Sequence, residues 1–235
     1  MCFILGWHFV SLWAADSPLL PGPMEVLKAW IELFAERDFA TDVLQSTKRI
    51  LVSFAIAIAI ALPIGVLMGA LRWVGNFLNP LVSAFRYLPA PSFIPLLLMW
   101  LGTGDSQKIS LLVLGVIFFL ITLFMDNTRA VPRELIECSS TLGASRMKIL
   151  WSVMFPAALP SHVDTARQML AVSWSYLVIA EIVAATDGIG AMMMRAKRFV
   201  KVDDIMAGIL TIGMMGLLAD FLIRLVHRRC FHYLH

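Results

Sequence analysis

The stretch from Glu134 to Pro156, ELIECSSTLGASRMKILWSVMFP, gathers acids, bases, hydroxyls, a thiol and a single glycine inside a chain that is otherwise strongly apolar. Groups of these types can do chemistry, so their spacing decides which. Cys2, Cys138 and Cys230 are scattered, without the paired spacing of a metal site or a disulfide framework. No Ser/His or paired-Asp constellation falls at membrane depth, which argues against an intramembrane protease. No glycine-rich phosphate loop ending in Gly-Lys-Ser or Gly-Lys-Thr occurs, so the chain is not itself an ATPase. The terminal HRRCFHYLH, with His227, His232 and His235, fits no tetrahedral ligand pattern, and Arg228 and Arg229 oppose a cation there. No metal and no cofactor is expected in this chain. What remains is recognition: a surface for a partner, or a path for a solute.

Candidates for a path lie in the apolar segments. Glu181 sits within SWSYLVIAEIVAA, where an ionisable residue is expensive and is normally paired or turned to water. A gating or structural ion pair suits it better than contact with an anion, which a carboxylate repels. Trp174 and Tyr176, with Ser173 and Ser175, could line a path for a small polar solute; packing alone explains such aromatics equally well. Pro89 and Pro91, followed by Pro95, each remove a backbone donor, and broken backbone at membrane depth persists only when buried in protein or lining a wet cavity. Asp220 and Arg224 are spaced to pair along one helix. Arg195, Lys197, Arg198 and Lys201 could attract an anion or touch a binding protein, or simply be a solvated linker.

These groups need a frame, and composition supplies it. The chain has 235 residues, 60% hydrophobic and 15% charged, with a mean hydropathy of +0.82, which marks an all-α, polytopic membrane protein read as one domain over residues 1–235. The net charge of +3 is modest, and no nucleic-acid partner is expected. About six spans fit the bilayer thickness. They are a truncated first one in Met1 to Ala15, then Ile50 to Leu71, a broken one from Phe77 to Leu101, Ile109 to Met125, Val163 to Ala185, and Ile205 to Val226. Asp16 to Lys48 reads as a loop carrying an interfacial helix on Val26, Leu27, Trp30, Ile31 and Phe34. TDGIG reads as a turn and MMMRAKRFVKVDD as a linker. Pro63, Gly65 and Gly69 suit close helix packing.

Within the opening stretch, Leu135, Cys138, Ser139 and Leu142 share one helical face, and Gly143 follows where a left-handed terminator belongs. Ser145 can cap a second helix whose Met147, Leu150, Trp151 and Met154 recur at i, i+3, i+4 and i+7, until Pro156 ends or kinks it. The pattern predicts two short helices, apolar inward and polar outward. They present a knob to a soluble partner or lie flat on the bilayer.

The spacing Glu137-Cys138-Ser139, Gly143, then Val153-Met154-Phe155-Pro156 resembles the Glu-Ala-Ala loop of permease subunits of binding-protein-dependent ABC importers, with Cys138 and Ser139 in place of the alanines. LPGPMEVLKAW, STKRILVSF, RYLPAPSFIPLLLMWLGTGDSQK, FPAALP, SWSYLVIAEIV, DGIG and ILTIGMMGLLADFLIRL extend the resemblance to the branch with nitrate, taurine, alkanesulfonate and bicarbonate permeases. The resemblance implies a type I importer permease fold and cytoplasmic coupling helices over residues 130–156. Glu137, Cys138, Ser139, Leu142, Gly143, Ala144, Ser145 and Pro156 would then meet separate ATPase subunits that hold ATP and Mg. It further implies a homodimer in the bacterial inner membrane with both termini cytoplasmic, fed by an extracytoplasmic binding protein and moving a small oxyanion. Glu137 would pair with a base on the ATPase subunit or cap a local helix. A different class, an ATP-independent channel or secondary carrier, would show paired ionisable residues at mid-span or an inverted repeat, and neither is evident in the sequence.

Overall fold

The computed structural model describes residues 6, 7, 11, 19–184 and 186–232, and every element in them is helical. The first expected span, Met1 to Ala15, therefore lies almost wholly outside the described residues.

Helix α1 (Pro23–Glu36) begins on a proline whose missing N–H is no loss in a first turn, and Glu25 reaches back to accept the Gly22 N–H at 2.8 Å. Its face differs from the expected one. Val26, Ala29 and Leu33 are buried, while Leu27 and Ile31 remain exposed. The helix docks on the chain's last two helices instead of lying free at the surface, and Trp30 Nε1 donates to Thr211 Oγ1 at 3.0 Å.

Helix α2 (Phe39–Ala70) absorbs the end of the expected loop, because Thr41 Oγ1 bonds the Asp38 carboxylate at 2.9 Å and starts the helix well before the apolar run. At 32 residues and 1.5 Å per residue it is about 48 Å long, more than the roughly 30 Å hydrocarbon layer, so its first turns stand outside that layer. Helix α3 (Arg72–Arg86) then leads into the proline segment. A 3₁₀ turn (Ala90–Phe93) and α4 (Ile94–Leu101) follow at 82° to it, with Pro89 before the turn, Pro91 inside it and Pro95 in the first turn of α4. This is the expected break.

Helix α5 (Asp105–Arg129) runs parallel to α2 and in close contact with it. A side-chain carbon on Gly65 would meet Phe124 Cβ at 2.6 Å, and one on Gly69 would meet Thr128 Cβ at 2.5 Å, so these glycines set the approach. After α6 (Arg133–Thr141) and α7 (Arg146–Ile149), a π-helical turn (Leu150–Met154) runs directly into α8 (Phe155–Ala184), which returns antiparallel to α5. Neither Pro156 nor Pro160 ends the helix. The π turn directly before Pro156 re-routes the hydrogen-bond ladder where the proline lacks a donor. The expected linker folds as α9 (Ile189–Arg198), whose Met192 and Ala196 are buried, and α10 (Val202–Cys230) closes the set.

Helices α2, α5 and α10 are long and apolar enough to cross a membrane, and the bent pair α3 with α4 makes a fourth candidate. Helix α8 has the length, at 30 residues, but Arg167, Gln168 and Glu181 make it less apolar. The core lies where α2, α5 and α8 meet, on residues such as Ala57, Ala61, Leu120, Phe124 and Leu177.

Candidate functional site

Because α2 and α5 run in one direction and α8 returns, the bundle has two ends, and the polar groups divide between them. At the Gly143 end, α6 ends as the sequence predicts. Gly143 holds φ +81°, the Ala144 N–H bonds the Ser139 carbonyl at 3.1 Å, and Ser145 Oγ accepts the Lys148 N–H at 3.4 Å to start α7. No residue of α6 is buried. A side-chain carbon on Gly143 would meet nothing within 4 Å, and Leu142 is 82% exposed.

The expected inward apolar face is only half right. Leu135, Leu142, Met147 and Trp151 are exposed, whereas Ile149, Leu150 and Met154 turn in against Val66. Met147 and Trp151, four residues apart, share the outward face, and Leu150 and Met154 share the inward one. Cys138 is exposed with a free thiol, and Ser139 Oγ bonds back to the Leu135 carbonyl at 2.7 Å. Glu137 lies inside α6 and caps no helix end; with Arg72, Arg129 and Arg133 it lines an open cavity of about 630 Å³.

At the opposite end Glu181 and Arg49 form a fully buried pair, 0% and 1% exposed, with Nη1 2.8 Å from Oε1. The carboxylate also accepts Ser46 Oγ at 2.8 and 3.0 Å and the Gly190 N–H at 2.8 Å. The guanidinium donates from Nε to Asp105 at 2.8 Å, from Nη1 to the Asp187 carbonyl at 3.1 Å, and from Nη2 to the Asp187 carboxylate. That hydrogen bond from Arg49 holds the Asp187 carboxyl below the ordinary carboxylate range. Asp42 accepts the Gly188 N–H at 2.7 Å and Arg195 Nη2 at 2.6 Å. Arg195, weighed above for attracting a solute, thus ties α9 to α2. Glu181 is satisfied by partners within the chain, which supports the ion-pair reading and leaves little acceptor capacity for a solute.

Sequence reasoning named Glu181 and missed its partners. The signal was present: Asp42, Ser46, Arg49 and Ser53 fall at i, i+4, i+7 and i+11, and all four are buried, a polar extension of the stripe that continues as Ala57 and Ala61. It was hidden because residues up to Lys48 read as loop.

The path candidates are not brought together. Pro89 is exposed at the bend and Pro91 half-buried. Tyr176 packs on α5, filling the space above Gly115, where an added carbon would come within 2.9 Å of the ring. Trp174 faces the other way, into a cavity between α8 and α10. Asp220 and Arg224 pair at 2.7 Å as expected, and Asp220 also takes Arg167 Nη1 at 2.6 Å.

Comparison with known proteins agrees with this architecture. Residues 61–232 match the family model of binding-protein-dependent transport system inner membrane components. The taurine transport system permease protein of Escherichia coli is 32% identical over 229 residues, covering 95% of this chain and 83% of that protein. The nitrate import permease protein of Synechocystis sp. is 23% identical over 218 residues, covering 89% and 79%. Among solved structures, an inward-facing form of the MetNI methionine ABC transporter superposes with a TM-score of 0.74 at 23% identity, over 81% of this chain and 95% of that one. The chain belongs to the family of binding-protein-dependent transport system inner membrane components, the permease subunits of ABC importers.

Proposed function

We propose that this permease moves a small oxyanion by alternating access, as a homodimer that draws its solute from an extracytoplasmic binding protein and its energy from two separate ATPase subunits holding ATP and Mg. The whole of residues 1–235 acts as one transmembrane domain, and the chain contributes no catalytic group. The observation that carries the reading is the mostly exposed helix pair at the Gly143 end. No residue of α6 is fully buried, Leu142 stands clear, and Gly143 fixes the angle between the two helices. An exposed, hinged, apolar-tipped element suits a groove in a soluble partner. A motor that shifts a two-state permease must interact differently with its two states, which calls for a stiff contact of this kind. Glu137, Cys138, Ser139, Leu142, Gly143, Ala144 and Ser145 form that contact, with Pro156 placing α8 behind it. The Gly143 end then faces the cytoplasm, and so do both termini.

The oxyanion rests on the relatives that carry taurine and nitrate in their names. The test is reconstitution with the cognate ATPase and binding protein in liposomes. Nitrate, bicarbonate, taurine or an alkanesulfonate should raise ATP hydrolysis and accumulate inside. A complex in which none of the four does either sinks the reading.

A further inference from the structure

We infer that the open cavity between α2, α3 and α6 at the Gly143 end is a site for the phosphate headgroup of an acidic phospholipid, received by Arg72, Arg129 and Arg133, whichever solute the permease carries. The cavity has a volume of about 630 Å³.

Charge is the first reason. Three guanidiniums and one carboxylate, that of Glu137, line the cavity, so its walls are net positive; Glu134, in the first turn of α6, is not among them. Among the described residues none of the three arginines has a carboxylate partner, and Arg129 Nη2 meets the Met68 carbonyl at 3.5 Å. Arg49, Arg167 and Arg195, by contrast, are all paired. The seat of Arg129 is built into the fold. A side-chain carbon on Gly75 would come within 2.7 Å of its Nη2 and 2.6 Å of the Met68 carbonyl, so the glycine lets the guanidinium lie against α3. A guanidinium is always charged and matches a phosphate through two parallel bonds, so three without a carboxylate around one cavity call for an anion of that shape. Arg72 and Arg133 also open α3 and α6, whose cap positions, Leu71 and Pro132, bring no side-chain acceptor to the first amides.

The adjoining face of α3 indicates where the anion comes from. Arg72 and Asn76 line the cavity one turn apart. Trp73 and Phe77, each one residue on, are 72% and 78% exposed, and Leu81 continues the row at 56%. The row offers alkyl chains a surface that starts beside the cavity, and a tryptophan at its start suits the headgroup level of a bilayer. A free phosphate would leave that row unused. Basic pockets between spanning helices hold acidic lipid headgroups in this manner. The ATPase contact lies elsewhere on the same helix: Arg133 begins α6 and Leu142 follows its end, about 14 Å along the axis. Glu137 alone belongs to both.

Native mass spectrometry of the permease–ATPase complex in neutral detergent, titrated with dioleoylphosphatidylglycerol, reads the affinity of the first bound lipid; dioleoylphosphatidylcholine and glycerol phosphate are the other arms. Phosphatidylglycerol should bind at least about tenfold more tightly than phosphatidylcholine. Arg72→Gln with Arg133→Gln, both exposed positions, should weaken it about tenfold or more, the usual worth of hydrogen bonds to a charged group. Arg228→Gln with Arg229→Gln removes the same charge at exposed positions outside the cavity and should change nothing. Asn76→Trp places bulk in the cavity without altering charge and should weaken the lipid as the arginine pair does. Equal affinity for the two lipids, equal loss in both double variants, or unchanged binding in Arg72→Gln with Arg133→Gln and in Asn76→Trp overturns the site. Glycerol phosphate binding as tightly as phosphatidylglycerol makes the ligand a soluble anion and overturns the lipid. Selective lipid binding by the permease alone that vanishes in the complex gives the cavity to the ATPase subunit and overturns it as well.

Discussion

Gly143 and Gly188 both hold positive φ, +81° and +101°, and their surroundings are opposite. Gly143 itself faces open space between two mostly exposed helices. Gly188 sits where any side chain would run into the Glu181 carboxylate and the Arg49 guanidinium at 2.6 to 2.7 Å, and its N–H is held by Asp42. The same backbone solution therefore serves two ends. One is complete within the chain, its charges neutralised by partners from α2, α5, α8 and the turn before α9. The other is unfinished, a shaped element whose contacts lie outside the chain. Stability should concentrate at the first and coupling at the second.

The largest expected effect follows from removing one half of the buried pair. Glu181→Ala leaves Arg49 without its buried partner and should cost about 3–5 kcal/mol, read as a lowered unfolding midpoint of the purified permease in detergent. A cost below about 1 kcal/mol would show that the network does not hold this end together. Gly188→Ala comes next. The forced contact and the left-handed backbone together should cost about 1–3 kcal/mol in the same measurement. Gly143→Val meets no neighbour, so the isolated permease should lose only about 1–2 kcal/mol from backbone strain. In the assembled complex the variant should lose substrate-dependent ATP hydrolysis, and transport at the wild-type rate would dissolve the contrast between the ends. Leu142→Ala should change stability by less than about 0.5 kcal/mol, as surface changes do, while reducing the ATPase subunit recovered on co-purification.

The smallest effect is one of pH. Asp187 is held below its ordinary value of 3.8 by Arg49, so its contribution is fully present above that value and is lost only as pH falls through the lowered one. The difference in unfolding midpoint between wild type and Asp187→Asn should be the same at pH 7 as at pH 5, and should shrink only under stronger acid. A difference that vanished already at pH 5 would mean that Arg49 does not hold this carboxylate.

Much of the Gly143 end was legible in the sequence because its determinants are local. A glycine at a helix end, a serine three residues before the amide it caps and a proline run at a break act within one or two turns, and Gly143, Ser145 and Pro89 behave as read. The error there was not local in cause: spacing offers Met147 with Trp151 and Leu150 with Met154, and contact with Val66 of α2 decides that the second pair turns inward.

At the Arg49 end the polar stripe was in the sequence but the pairings were not legible, since these bonds join residues 56, 132 and 138 positions apart. By itself the sequence determined a helical membrane protein with a capped, glycine-hinged element and a break at its prolines, because hydropathy, caps and missing donors are properties of neighbouring residues. Only the tertiary structure decided that Glu181 belongs to Arg49, that Trp174 lines a cavity while Tyr176 packs, and that Arg195 ties to Asp42. Burial and pairing depend on which helices meet, and a buried charge exists only once they have met.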